Sequence, residues 1–104
     1  MSAQKKLVEV NITFRNTEAT DALTKYATEK IRSCIQKFTH HDVVVDVVLK
    51  IEKTRHIAEA SFRTDNADFH CKEDSNDLYK SIDQLVDTIS EQMRRHKEKI
   101  KVRH

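Results

Sequence analysis

Residues 74–100, DSNDLYKSIDQLVDTISEQMRRHKEKI, decide the fold. Leu78, Ile82, Leu85, Val86, Ile89, Met93 and Ile100 recur at three- and four-residue spacing, which sets them on one stripe of an α-helix of about seven turns. A stripe of that length must be covered, so the chain upstream has to supply an apolar surface. The polar side of the same helix changes sign along its length. Between Glu73 and Glu91 the acids Glu73, Asp74, Asp77, Asp83, Asp87 and Glu91 face only Lys80, whereas between Gln92 and His104 the bases Arg94, Arg95, Lys97, Lys99, Lys101 and Arg103 face only Glu98. Acids at the amino end and bases at the carboxyl end complement the helix dipole, which is one reading of the pattern. The other is a cationic arm for phosphates, because so many bases exceed what one helix end needs.

Working outward, the chain of 104 residues is expected to form one domain, residues 1–104, with a single modest core. It is 35% charged and 38% hydrophobic, but its apolar residues are periodic, which argues for a folded domain and against disorder. No apolar run approaches membrane-spanning length, and Met1 to Lys6 has no apolar segment behind it that would make a secretory signal, so a cytoplasmic protein is expected. Cys34 and Cys71 form no CxxC pair and read as buried free thiols. The chain has neither Gly nor Pro, which excludes glycine-rich phosphate loops and dinucleotide folds. Its turns must be built from Asn, Asp and Thr, which tolerate the left-handed region or bond their own backbone. Net charge is only +2, so any nucleic-acid surface must come from segregation of charge.

In chain order, Leu7 to Arg15 alternates strictly, with Val8, Val10, Ile12 and Phe14 on one face of a half-buried strand. Thr17 or Thr20 caps the helix that follows, with Asp21 in its first turn. Its stripe is Leu23, Tyr26, Ala27, Ile31, Cys34, Ile35 and Phe38; Lys30 and Lys37 flank it, and Lys25 and Arg32 fall on the opposite, solvent side. After the connector Thr39 to Asp42, Val43 to Glu52 alternates again, with Val43, Val45, Val47, Leu49 and Ile51 pointing one way. Glu52 to Arg55 fits a hairpin turn, Ala58, Ala60 and Phe62 make the inward face of a third strand, and Asp65 with Asn66 makes the next turn. Ala67, Phe69 and Cys71 face inward from a short fourth strand, and Asp74 or Ser75 caps the long helix. The expected fold is α+β: a two-layer β-α-β-β-β-α arrangement, a four-stranded sheet with two helices packed on one face. A right-handed crossover through the first helix would lay strand one parallel to its neighbour.

The stretches ITFRNTEATDALTKYATEKI (12–31), VVLKIEKTRHIAEASFRTDNADFHCKED (47–74) and NDLYKSIDQLVDTISEQMRRHKEKIK (76–101) resemble the ribosome hibernation-promoting factor and ribosome-associated inhibitor family. The most specific parts are the EKxRH hairpin at Glu52 to His56, the DLYxSID run at Asp77 to Asp83, and RRHKEK at Arg94 to Lys99. The resemblance implies a translation inhibitor and hibernation factor bound to the small ribosomal subunit and its rRNA, in the channel that messenger and transfer RNA occupy. The chain ends soon after the basic run, an ending most like the short hibernation-promoting branch, which acts with a separate modulation factor to let ribosomes pair. One departure is the turn at Thr64 to Ala67, which often carries Gly in the family and has none here.

Ribosomal RNA presents dense phosphate, so affinity is expected from Lys and Arg at fixed spacing with little base reading. The candidates fall in three groups: Lys25, Lys30, Arg32 and Lys37 on the first helix; Lys53, Arg55 and His56 in the hairpin, with Lys72; and the arm Arg94, Arg95, Lys97, Lys99 and Lys101. Lys80 and Tyr79 join them from the start of the long helix, Tyr79 either as a base-stacking ring or as an edge-of-core residue. Asp77 and Asp83 suit orienting neighbouring bases such as Lys80. His96 falls on the apolar stripe and is expected to pack against the sheet edge. His40, His41 and His70 lack paired-ligand spacing, and no nucleophile has a local partner signature, so no metal, cofactor, small-molecule substrate, membrane contact or catalysis is expected. Two alternatives stand beside the ribosomal reading: a non-catalytic interaction module docking an acidic protein, and a generic double-stranded RNA binder.

Overall fold

Alternation with period two becomes four strands, β1 (Val8–Arg15), β2 (Val43–Glu52), β3 (Arg55–Thr64) and β4 (Ala67–Ser75), and the two helical stripes become α1 (Asp21–Gln36) and α2 (Leu78–Val102). The computed structural model describes residues 7–39 and 41–102, with side chains through 98; His40, Arg103 and the side chains of Lys99, Ile100 and Lys101 lie outside the described residues. The strands lie in the order β1-β2-β3-β4 in a single sheet. β1 pairs with β2 in parallel, from Val8 opposite Val43 to Arg15 opposite Lys50. The other two neighbours are antiparallel, so β1 and β4 are the sheet edges.

Both helices cover one face. Most of the inward set expected from the alternation is buried there: Val8, Val43, Val45, Val47, Leu49, Ala58, Ala60, Phe62, Phe69 and Cys71, against Leu23, Ala27, Ile31, Cys34 and Ile35 of α1 and Leu78, Ile82, Leu85, Ile89 and Met93 of α2. Val10, Ile12, Phe14, Ile51 and Ala67, with Tyr26, Phe38 and Val86 of the helices, are half-buried at its margin. Ile82, Leu85 and Ile89 are fully buried, and each contributes about 1.5–3 kcal/mol relative to exposure. The other face of the sheet is open and mostly polar, with Val44 exposed and Val48 half-buried on it, and Ile57 there only 1% exposed. Its cross-strand neighbours Lys50 and Asp74 flank it.

Thr20, of the two capping residues considered, makes the α1 cap: its hydroxyl accepts from the Leu23 amide at 3.1 Å. For α2 the cap differs from expectation. β4 runs on to Ser75, which pairs with His56; the Ser75 hydroxyl bonds the Asp77 amide and carbonyl just ahead of the helix, at 3.2 and 2.8 Å, and Asp74 is taken by Arg55, so neither caps a helical amide. Asp77 does so instead, its carboxylate accepting from the Tyr79 amide at 3.3 Å and its carbonyl from Ser81 at 2.9 Å. The turns carry the missing glycines' conformations: φ is 58° at Asn16, 54° at Asp65, 60° at Asn66 and 59° at Lys53. Lys53 is the residue in this set whose side chain has no local bond to offer the left-handed backbone. Among the described residues no helix is long and apolar enough to cross a membrane.

Candidate nucleic-acid interface

The helices run parallel, and this decides where their charges meet. Tyr26 of α1 reaches Asp83 of α2, and about two turns on Cys34 reaches Ser90. Carrying that offset three residues further sets Lys37 level with Met93 and Arg94. The carboxyl end of α1 therefore lies beside Met93 to Arg95, where its dipole favours the cations of α2. Lys37, Arg94 and Arg95 are exposed there, with Lys97 half-buried beside them.

The pair Arg94 and Arg95 is not free. Glu91 accepts from Arg94 at 2.6 Å and lies 3.1 Å from Nε of Arg95, and Glu98 lies 4.0 Å from Arg94. The Arg94 guanidinium, with Arg95 behind it, holds the Glu91 carboxyl below the ordinary glutamate value. These pairs are solvent-screened and worth little as stability, but they fix two guanidinium groups in one orientation. The docked part of α2 also reaches further than the change of charge suggests. Met93 is buried, and the His96 ring meets Phe69 of β4 edge-on, 5.4 Å between centroids, packing on the sheet edge as its stripe position requires. Arg94 and Arg95 thus stand on a packed backbone, between the buried Met93 and the His96 ring.

Between the helices lies a groove of about 450 Å³ whose charged lining is Lys30 and Lys37 with Glu29, beside Tyr26, Val86 and Ser90. Lys30 is set by Asp83, 3.9 Å away, so the carboxylate expected to orient Lys80 orients a base on the other helix. Lys25, Lys37 and Lys80 are exposed and make no ion pair among the described residues. Tyr79 packs edge-to-face on Tyr26 at 5.0 Å between centroids and stays 38% exposed, so it is neither core nor isolated.

Three candidates sit differently from their sequence reading. Arg32 is half-buried, not on the solvent side: its Nε donates to the Val8 carbonyl of β1 at 3.1 Å. The hairpin group comes apart because successive strand residues face opposite ways. His56 points to the helix face, with Nδ1 buried and unpartnered, while Arg55 points to the open face and binds Asp74 at 2.8 Å. Lys53 alone stands at the exposed tip. Lys72 is also on the open face, where it and Lys50 flank Glu59 at 3.7 and 3.2 Å. Residues on the open face cannot share a flat surface with those on the helices.

Both thiols are buried and free. Burial pushes the Cys71 thiol up to about 11 and raises Cys34 as well, so neither is poised as a nucleophile. No cluster of metal-ligating side chains occurs among the described residues. The arrangement offers a groove with Lys30 and Lys37 on its wall and a basic end on the same layer, which suits an extended polyanion.

A family model described as Sigma 54 modulation protein / S30EA ribosomal protein matches residues 10–101. The chain is 37% identical to the ribosome hibernation promoting factor of Salmonella typhimurium, covering 90% of this chain and 98% of that protein. It is 33% identical to the protein of the same name from Azotobacter vinelandii, covering 88% and 85%. Among solved structures, the N-terminal domain of Thermus thermophilus Protein Y superimposes with a TM-score of 0.76 at 27% identity, covering 86% of this chain and 98% of that one. A ribosomal subunit interface protein from Coxiella burnetii gives 0.77 at 17% identity, with the same coverage, and shows the shared fold.

Proposed function

The chain belongs to the Sigma 54 modulation protein / S30EA ribosomal protein family, and from that premise we propose that it is a non-catalytic, cytoplasmic hibernation factor that binds the small ribosomal subunit. In this reading it occupies the channel for messenger and transfer RNA, inhibits translation, and keeps idle ribosomes inactive. The relatives named as ribosome hibernation promoting factors support the ribosomal role. The observation that carries the mode of binding is the parallel packing of α1 and α2, which gathers Lys37, Arg94, Arg95 and Lys97 at one end and lines the adjoining groove with Lys30.

Backbone phosphate is the natural target of such a surface. Lys25, Lys30, Lys37, Lys80, Arg94, Arg95 and Lys97 on the helix layer, with Lys53 at the hairpin tip, are its proposed contacts; Lys99 and Lys101 continue the arm. Arg32, Arg55, His56 and Lys72 are held elsewhere and take supporting roles.

Co-sedimentation with small subunits across a salt series tests this. Binding should weaken steeply, each neutralised phosphate adding roughly 0.7 to 0.9 to the slope of log affinity against log salt. Arg94→Gln with Arg95→Gln should lower that slope by about 1.5 and leave the thermal midpoint nearly unchanged. Salt-independent binding, or none, would overturn the proposal. Capture of an acidic protein that persists after nuclease treatment, without ribosomes, would replace it, and equal affinity for free RNA duplex would reduce it to a general duplex binder.

A further inference from the structure

Both tyrosines of this tryptophan-free chain meet at one place. The rings of Tyr26 and Tyr79 lie edge-to-face at an interplanar angle of 72°. The Tyr26 hydroxyl donates to Oδ1 of Asp83 at 2.5 Å, and the same oxygen lies 3.9 Å from Nζ of Lys30. Lys30 Nζ also stands 5.4 Å from the Tyr26 ring centroid. One carboxylate from α2 therefore holds a phenol and an ammonium from α1 at once.

Two features exceed what a tie between helices needs. The cluster is at the surface, with the side chains of Lys30 and Asp83 49% and 52% exposed, where an ion pair adds little stability. Tyr79 is also the one exposed large apolar side chain on the helix layer among the described residues, Leu7 and Val44 being elsewhere. An open ring on one side of Tyr26 and an ammonium over the Tyr26 ring match the two halves of a nucleotide, a flat base and a phosphate. The Asp83 charge, which would repel a phosphate, is engaged by the Tyr26 hydroxyl and by Lys30. An ammonium has three donors and keeps at least one for a ligand.

We propose that Tyr79, Lys30, Tyr26 and Asp83 form a subsite for one unpaired nucleotide of RNA, its base stacked on Tyr79 and its phosphate on Lys30. Tyr26 and Asp83 are positioning residues. The subsite rests on the RNA-binding reading of the helix layer and adds a requirement to it: a base inside a duplex has no free face, so the RNA met here is single-stranded, and stacking makes it tolerant of sequence.

Tyrosine emission reports on this cluster alone, because there are no other tyrosines and no tryptophan. The whole protein is titrated with a short oligouridylate and with an abasic ribose-phosphate chain of equal charge, by tyrosine emission and by anisotropy of a labelled strand. The oligouridylate should quench the emission and bind about tenfold more tightly than the abasic chain. Tyr79→Ala should erase that ratio, Tyr79→Phe should keep it, and Asp83→Asn should shrink it. Equal affinity for the two chains in the unaltered protein, or a Tyr79→Ala variant that melts lower but keeps the ratio, overturns the subsite and leaves an interhelix tie. Ribosome binding with normal salt dependence but no base preference defeats the subsite alone. A protein that binds neither chain nor ribosomes defeats the RNA reading beneath it.

Discussion

Lys53 turns the β2–β3 hairpin with φ at 59°, a conformation that costs a side-chain-bearing residue about 1–2 kcal/mol. The chain has no glycine to place there. Lys53→Gly removes the clash but loosens the unfolded chain, so a net gain of about 0.5–1 kcal/mol is expected, read as a higher urea midpoint at unchanged slope. If the hairpin tip meets phosphate, the same variant binds ribosomes less well while being more stable, which separates binding from folding at one position. Asp74 supplies a second test at this scale. The Arg55 guanidinium holds its carboxyl below the ordinary aspartate value. The pair's contribution is present above the unfolded-state value and is lost as pH falls through the lowered folded one. In Arg55→Gln the Asp74 titration, followed by carboxyl NMR, should return to the ordinary aspartate range.

At the scale of the element, α2 is held at its start by a serine. Ser81 is fully buried, its hydroxyl donating to the His56 carbonyl at 2.6 Å and lying 2.7 Å from the Ser75 hydroxyl. Ser81→Ala leaves the carbonyl unpaired and should cost about 1–3 kcal/mol in denaturant unfolding. Neither partner is visible in the helix's own periodicity, since His56 is 25 residues away. The same limit applies to the interface: period and spacing locate the core stripes of both helices, but Tyr26 and Asp83 are 57 residues apart and nothing local ties them. The orientation of His56 was legible. An inward Ala58 and Ala60 require an inward residue two places earlier, and grouping it with Arg55 as hairpin bases overrode that parity. The α2 cap was not legible, because Glu73 to Ser75 are polar on both faces and only their pairing with β3 makes them strand.

For the whole molecule, the sheet divides two chemistries. Its helix layer carries the unpaired Lys25, Lys37 and Lys80, whereas on its open face Lys50, Arg55, Arg63 and Lys72 are matched by acids and Arg15 is the unpaired exception among the described residues. Lys37→Glu should therefore weaken ribosome co-sedimentation several-fold, whereas Lys72→Gln should change it little; the reverse ranking would put the RNA on the sheet.

The sheet's other exposure is lateral. β1 is an edge strand, and its carbonyls alternate between β2 and solvent: the Leu7 carbonyl accepts from Val43 at 2.9 Å, so that of Val8 points outward. An outward row of that kind invites a second chain to pair with it. Arg32 occupies the first place in the row, donating to Val8 while presenting a charge along the edge. A residue that reads as a spare base on a solvent-facing helix thus occupies an outward carbonyl of the edge strand and sets a charge beside it, and both features oppose edge-to-edge pairing. Arg32→Ala should fold, and on storage at high concentration it should grow assemblies by light scattering that the unaltered chain does not.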